Sequence, residues 1–288
     1  MNTPATIIRR AVKVGVALIG TALAAGMTYQ GVATALERRD YPPPGARISI
    51  GDHQLHLYCV GDGSPVVVLE APEAGLSSAW GAVQPALARQ TRVCAYDRSG
   101  LGWSEASGLG FDATRAADEL HALLSEAAVQ RPVILVGQSL GAWYAQLYAS
   151  RFPGDVSALI LADRPDTHTD SLETVALVRR LRWAPWLART GVLRLTGPTV
   201  ASTDGLPPAA RGATRAFLLR PDHLARAARE VSQWRQTAGL VEAAPLDPGL
   251  RVIAVTTATH RPGTFPAANA DSDTFLRAVI DARDPARH

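Results

Sequence analysis

The run Pro132-Val133-Ile134-Leu135-Val136 passes without a break into Gly137-Gln138-Ser139-Leu140-Gly141 and then into a helical pattern from Ala142 to Phe152, which leaves the chain few architectures. Five apolar residues in a row read as a strand buried on both faces. A strand that runs straight into a helix belongs to a parallel sheet, where a crossover must carry the chain back before the next strand begins. The two glycines mark a turn too crowded for side chains, so Ser139 stands on a sharp corner at the carboxyl end of the strand with its oxygen presented outward. A serine hydroxyl is a weak nucleophile until a base takes its proton and donors stabilise the oxyanion that follows. The Leu140 N–H, at the start of the helix, faces the place where that charge would develop.

The same rhythm extends along the chain. Arg47 to Ile50 and Gln54 to Val60 read as a hairpin around Gly51-Asp52, and Pro65 to Leu69 as a buried strand. Ser78 to Arg89 reads as a helix, Thr91 to Tyr96 as a strand, and Ala113 to Ala128 as an amphipathic helix with Leu120, Leu123 and Leu124 on one side. Val156 to Ala162 is the sixth strand. The expectation is an α/β fold with a mostly parallel sheet and helices on both faces. After Asp166 the pattern changes: Ser171 to Leu195 and Pro208 to Leu240 look helical, and strand character returns only at Leu250 to Thr257. An insertion there lies above the carboxyl ends of the strands, where a helical lid would cover a substrate pocket. Trp183, Trp186 and Trp234 are read either as pocket lining or as lid core. The chain then divides into residues 41–166 and 249–288 as the two parts of one core, the second apparently incomplete, and 167–248 as the lid.

Residues 1–40 differ from the remainder. Arg9, Arg10 and Lys13 precede Val14 to Leu36, a stretch of 23 residues without a formal charge, and Glu37-Arg38-Arg39-Asp40 closes it. That length crosses a bilayer. The upstream positive charge predicts a single-pass anchor with the amino end in the cytoplasm and the body on the extracytoplasmic side. A cleaved signal peptide with secretion, and a buried soluble helix, are the alternatives. Asp40-Tyr41-Pro42-Pro43-Pro44-Gly45 reads as a stiff linker. The net charge of +3 comes from 28 arginines and one lysine that are spread along the chain, so no nucleic-acid surface is implied. Cys59 and Cys94 both fall in expected strands, and either a disulfide or two buried thiols fits.

Several segments carry a family likeness. These are the apolar amino terminus, Tyr41-Pro42-Pro43-Pro44-Gly45, Leu55-His56-Leu57-Tyr58-Cys59, Arg92 to Ser104 with its Asp97-Arg98-Ser99-Gly100-Leu101-Gly102-Trp103-Ser104, the Ser139 turn, and Leu161-Ala162-Asp163. Together they resemble the α/β-hydrolase superfamily, and within it membrane-anchored bacterial members. The resemblance covers residues 10 to 166 well and the remainder in general architecture. It implies a Ser-acid-His triad with Ser139 as nucleophile. The acid of such enzymes follows the sixth or seventh strand; Asp163 closes the sixth, whereas Thr257 to Gly263 holds no carboxylate. The oxyanion hole it implies uses the N–H of Leu140 and, from the loop after the third strand, that of Glu73. In that loop relatives carry glycines where this chain has Pro72-Glu73.

The base departs further from the pattern. Relatives carry the histidine after an eighth strand, and here only 31 residues follow Thr257, with no strand ending in Gly-His. His260 is the nearest substitute, with His168 and His288 behind it. His53, His56, His121 and His223 read as surface or strand residues without metal-ligand spacing. No metal or cofactor is implied. The reading is a membrane-anchored serine hydrolase acting on a small-molecule ester or amide. A catalytically dead module of the same fold and a proline-iminopeptidase-like aminopeptidase are the alternatives.

Overall fold

The computed structural model describes residues 4–168, 172–257, 265 and 270–283. Helix α1 (Pro4–Asp40) leads into strands β1 (Ala46–Ser49), β2 (Gln54–Val60) and β3 (Val67–Glu70). A 3-10 turn at Ser77–Trp80 and the short α2 (Gln84–Leu87) precede β4 (Val93–Tyr96). Then come α3 (Ala113–Glu126), β5 (Val133–Gln138), α4 (Leu140–Arg151) and β6 (Val156–Ala162). Five helices, α5 (Leu172–Arg189), α6 (Val192–Thr196), α7 (Pro208–Leu218), α8 (Pro221–Ser232) and α9 (Trp234–Ala243), form the insert, and β7 (Arg251–Val255) and α10 (Ala270–Arg283) close the described chain.

The seven strands form one sheet in the order β1-β2-β4-β3-β5-β6-β7. The β1–β2 and β2–β4 pairs are antiparallel and the rest are parallel. Side-chain alternation sorts the core into two layers, because successive residues of a strand face opposite sides. Val66, Val68, Val133 and Leu135 pack with Leu120, Leu123 and Leu124 of α3 and Ala145 and Tyr148 of α4. Val67, Leu69, Ile134 and Val136 pack on the other face with Trp80, Leu87, Phe275 and Val279. The opposite flank of α4, through Trp143, Tyr144 and Leu147, joins a third cluster built mainly from the insert. Helix α4 is therefore enclosed between sheet and insert, which is why ten of its residues are buried.

Three local readings change. The stretch read as one helix, Ser78 to Arg89, is a 3-10 turn and a four-residue helix; Gly81 and Pro85 interrupt it. The two long helical stretches of the insert are five helices, with Gly191 at φ 75° separating α5 from α6. Helix α1 runs on to Asp40, and its last turns pack against the insert. Arg194 of α6 donates to Gln30 Oε1 at 2.7 Å and pairs with Glu37 through both terminal nitrogens, at 2.5 and 2.9 Å. Gln30 in turn donates to the Leu219 carbonyl at 3.0 Å. Ile8–Asp40 is long and apolar enough to cross a membrane, by length and composition.

Cys59 and Cys94 stand directly opposite each other in the antiparallel β2–β4 register and form a disulfide. Of the two states open from sequence, this pairing selects the bridge.

Candidate active site

Ser139 has φ 51° and ψ −125°, a left-handed conformation that a side chain adopts only under constraint. The constraint is visible on both sides. A Cβ on Gly137 would lie 2.4 Å from the Gly141 carbonyl oxygen, and one on Gly141 would lie 2.5 Å from the Ala71 carbonyl oxygen. Both contacts are with backbone, which has no rotamer to yield, so the turn admits only glycine at these positions. The Ser139 N–H donates to the Ala162 carbonyl at 2.9 Å, and the Ser139 carbonyl accepts from Ala142 at 2.9 Å, which starts α4. The Leu140 N–H belongs to the first turn of α4, where no intrahelical acceptor exists.

Asp163 follows Ala162 immediately and is also left-handed, at φ 49°. Its N–H donates to Val255 of β7 at 3.0 Å. Its carboxylate accepts from the Thr257 N–H at 2.8 Å, from the Thr257 hydroxyl, and from Gln138 Nε2 at 3.1 Å. Gln138 and Asp163 thus flank Ser139 across the β5–β6 pair. Arg164, the residue after Asp163, donates to Gln146 Oε1 at 3.1 Å.

The loop after β3 touches the same turn. Gly75 N–H donates to Pro72 O at 3.0 Å, which places Glu73 and Ala74 at the corner of a turn, with Ala74 at φ 55°. Positive φ at the second corner position is the mark of a type II turn. Glu73 is buried. Glu73 and Leu140 therefore lie on the two segments whose backbones close around Gly141.

An ion cluster that sequence reasoning missed holds this loop. Arg98 is buried and donates to Glu70 Oε1 at 2.5 Å, to the Ala71 carbonyl at 2.7 Å and to the Pro72 carbonyl at 3.2 Å. It also reaches both oxygens of Glu230 on α8, while Tyr96 donates its hydroxyl to Glu70. The Tyr144 ring lies 5.0 Å from the guanidinium carbon. Burial raises the Glu70 carboxyl above its ordinary range, against the pull of Arg98. Burial works against the Arg98 charge, yet Glu230 and Glu70 outweigh it and hold the guanidinium well above its usual value. One signal of this cluster existed in the sequence: Glu70 ends a wholly apolar strand, a position where a carboxylate needs a buried partner.

Each of the five described histidines has partners other than Ser139. His56 is buried between Asp97 Oδ2, at 3.1 Å, and the Gly45 N–H, at 3.2 Å. His53 contacts Asp52 and Glu119, His121 contacts Asp155, and the exposed His168 pairs with Glu242 at 3.4 Å. His223 corrects its reading as a surface or strand residue. It is buried on α8, where Nδ1 accepts from the Gly102 N–H at 3.1 Å and Nε2 donates to the Ala74 carbonyl at 3.0 Å. Those two bonds fix its neutral tautomer, and burial lowers its pKa further. His260 and His288 lie outside the described residues. Among the described residues no group of three or more His, Cys, Asp or Glu side chains is arranged to hold a metal ion.

The tryptophans separate. Trp234 stacks on Trp143 with ring centroids 6.2 Å apart, in the insert core, whereas Trp183 and Trp186 are exposed on α5. Neither of the last two belongs to the insert core.

The fold that carries this strained serine has counterparts among known proteins. The sequence profile described as alpha/beta hydrolase fold matches residues 65–236. The chain belongs to the α/β-hydrolase fold family. It is 32% identical over 116 residues to an uncharacterized protein of Schizosaccharomyces pombe, a match covering 40% of this chain and 22% of that protein. It is 32% identical over 120 residues to the 2-hydroxy-6-oxo-2,4-heptadienoate hydrolase of Pseudomonas putida, covering 41% of this chain and 43% of the relative. The chain thus spans less than half the length of these curated relatives. Among solved α/β hydrolases, the enol-lactonase of Burkholderia xenovorans superposes with a TM-score of 0.56 at 17% identity, covering 82% of this chain and 99% of the lactonase, a likeness of fold.

Proposed function

We propose that this α/β hydrolase is a membrane-anchored serine hydrolase that cleaves an ester or amide of a small molecule through an acyl-enzyme on Ser139. The observation that carries the reading is the Ser139 corner, strained at φ 51° and closed in by Gly137 and Gly141. Backbone strain is retained where a reacting group must be held in one place.

In this reading Ser139 Oγ attacks the carbonyl carbon while the base takes its proton. The carbonyl π electrons move to the oxygen, which the N–H groups of Leu140 and Glu73 stabilise. Collapse of the adduct expels the alcohol or amine, which leaves with the proton the base returns. Water, deprotonated by the same base, then releases the acid from Ser139. Asp163 orients the base and balances its positive charge. His260 is the base: each described histidine is engaged elsewhere, and Thr257, three residues before His260, is fastened to the Asp163 carboxylate. Three residues of chain reach at most about 10 Å. The helical insert serves as the lid.

The anchor is α1, with Arg9, Arg10 and Lys13 on the cytoplasmic side and the hydrolase body exported. The Cys59–Cys94 disulfide supports export, since such bridges persist in oxidising compartments.

Treatment of the detergent-solubilised full chain with a fluorophosphonate tests the reading. Label on Ser139, together with p-nitrophenyl ester turnover that disappears in both Ser139→Ala and His260→Ala, is the expected result. A folded protein that takes no label and turns over no ester would instead be a catalytically silent module of this fold.

A further inference from the structure

The solvent face of the insert carries large apolar side chains. Trp183, Trp186, Leu187 and Leu195, on α5 and α6, are 58%, 63%, 43% and 81% exposed. Arg182 lies 5.6 Å from the Trp183 ring and Arg189 lies 4.7 Å from the Trp186 ring. From Thr174 to Thr203 the chain carries not one carboxylate and five arginines, four of them besides Arg194, which Glu37 of α1 holds. A helix face of tryptophan, leucine and arginine is the composition that settles at the boundary between lipid headgroups and acyl chains.

The position of α1 brings this face to that boundary. A helix that enters the hydrocarbon at Val14, just past Lys13, needs about 20 residues to cross it and so leaves near Ala33. The insert meets α1 earlier. Gly26 lies so close to the α5–α6 corner that a Cβ on it would sit 2.1 Å from the Thr190 carbonyl oxygen, and one on Gly191 would sit 2.7 Å from the Gly26 carbonyl oxygen. Gly26 is seven residues short of Ala33, or about 10 Å along the helix axis. The corner of the insert that touches Gly26 therefore lies below the level at which α1 leaves the hydrocarbon. Trp186 sits one turn from that corner and Trp183 two.

We propose that the outer face of α5 and α6 is a membrane-seating surface, whose tryptophans and leucines enter the leaflet from which α1 emerges and whose arginines pair with anionic lipid phosphates. The proposal rests on the reading of α1 as a membrane anchor. Its consequence is geometric. Arg98 and His223 fasten the same insert to the loops beside Ser139, so seating fixes the height and tilt of the nucleophile over the bilayer.

The tryptophans are their own reporters. Segment 1–40 contains no tryptophan, Trp80 and Trp143 are fully buried, Trp234 is 8% exposed, and Trp103 is packed between His56 and Phe217. The full chain is reconstituted in vesicles of phosphatidylcholine and phosphatidylglycerol with brominated acyl chains. Bromolipid is expected to quench the wild type, and the quenching to fall at least about threefold in Trp183→Phe/Trp186→Phe, which keeps the apolar surface. Arg182→Gln/Arg189→Gln is expected to weaken quenching in anionic vesicles and leave it unchanged in pure phosphatidylcholine. If the chain stays with the vesicles after an alkaline wash but the Phe variant is quenched as much as wild type, the seating surface is overturned while the anchor stands. If the wash strips the chain from the vesicles, the anchor reading itself fails.

Discussion

Arg98 donates through Nε and Nη2 to the two carboxylate oxygens of Glu230, at 3.2 and 2.9 Å, and so ties helix α8 of the insert to the loop that follows β4. Both residues are buried, and the same guanidinium holds Glu70 and the carbonyls of Ala71 and Pro72. Removing one member of a buried set strands the charges left behind. Glu230→Gln is expected to cost about 3–5 kcal/mol of folding stability. Arg98→Lys should be nearly as damaging, because a single ammonium cannot span the acceptors at residues 70–72 and on α8. Urea unfolding followed by circular dichroism measures both.

The parts of this fold that rest on local pattern were legible. Val156 to Ala162 and Gln54 to Val60 were read to the residue, because strand periodicity is written in neighbouring side chains. The Ser139 corner was legible for the same reason: its glycines and flanking elements are contiguous. The Glu70–Arg98–Glu230 cluster was not, since its members are 28 and 132 residues apart in sequence and nothing local couples them. The disulfide stayed open until the β2–β4 register placed Cys59 opposite Cys94. The exposure of Trp183 and Trp186 was hidden by a general rule, because tryptophan in an amphipathic helix usually faces inward.

His223 makes the attachment of the insert sensitive to acid. Burial lowers its pKa below the ordinary histidine value, so the folded state favours the neutral ring that accepts from Gly102 and donates to Ala74. The stability that follows is complete above the unfolded pKa, near 6.5, and is lost as pH falls through the depressed folded value. Below about pH 6.5 the unfolded chain gains a proton the folded one refuses, which costs up to about 1.4 kcal/mol per pH unit. His223→Gln should flatten that part of the stability–pH curve, measured by denaturant titration between about pH 5 and pH 7.

The Cys59–Cys94 bridge closes a loop over a sequence separation of 35 that contains β3, the loop after it and α2. A bridge over a loop of that length limits the unfolded chain and contributes about 2–4 kcal/mol. Cys59→Ser/Cys94→Ser should unfold at correspondingly lower urea, and a thiol reductant should shift wild type to the same midpoint while leaving the double variant unmoved.

Gly141→Ala should destabilise the protein by about 2 kcal/mol or more, since its methyl group would sit against the carbonyls of Ala71 and Glu70 and only a backbone shift relieves the overlap. That shift would part the Leu140 N–H from the loop carrying Glu73. Loss of fluorophosphonate labelling should therefore exceed the loss of folded protein at a temperature where circular dichroism shows the variant still native.

Asp163 is held by the N–H and hydroxyl of Thr257 and by Gln138, and these bonds fix its carboxylate at the end of β6, the strand paired with the one that leads into Ser139. If it orients the base, Asp163→Asn should lower kcat by about 10³–10⁴-fold with little change in KM, because the amide keeps the shape but presents the wrong hydrogen-bonding partner to an imidazolium. Thr257→Val removes one of the three donors and leaves the carboxylate charged. Its expected effect is smaller, about tenfold in kcat. A residue with only a structural role would instead show Thr257→Val and Asp163→Asn each lowering Tm in step with activity, so kinetics and thermal unfolding on the same two variants decide which role Asp163 has.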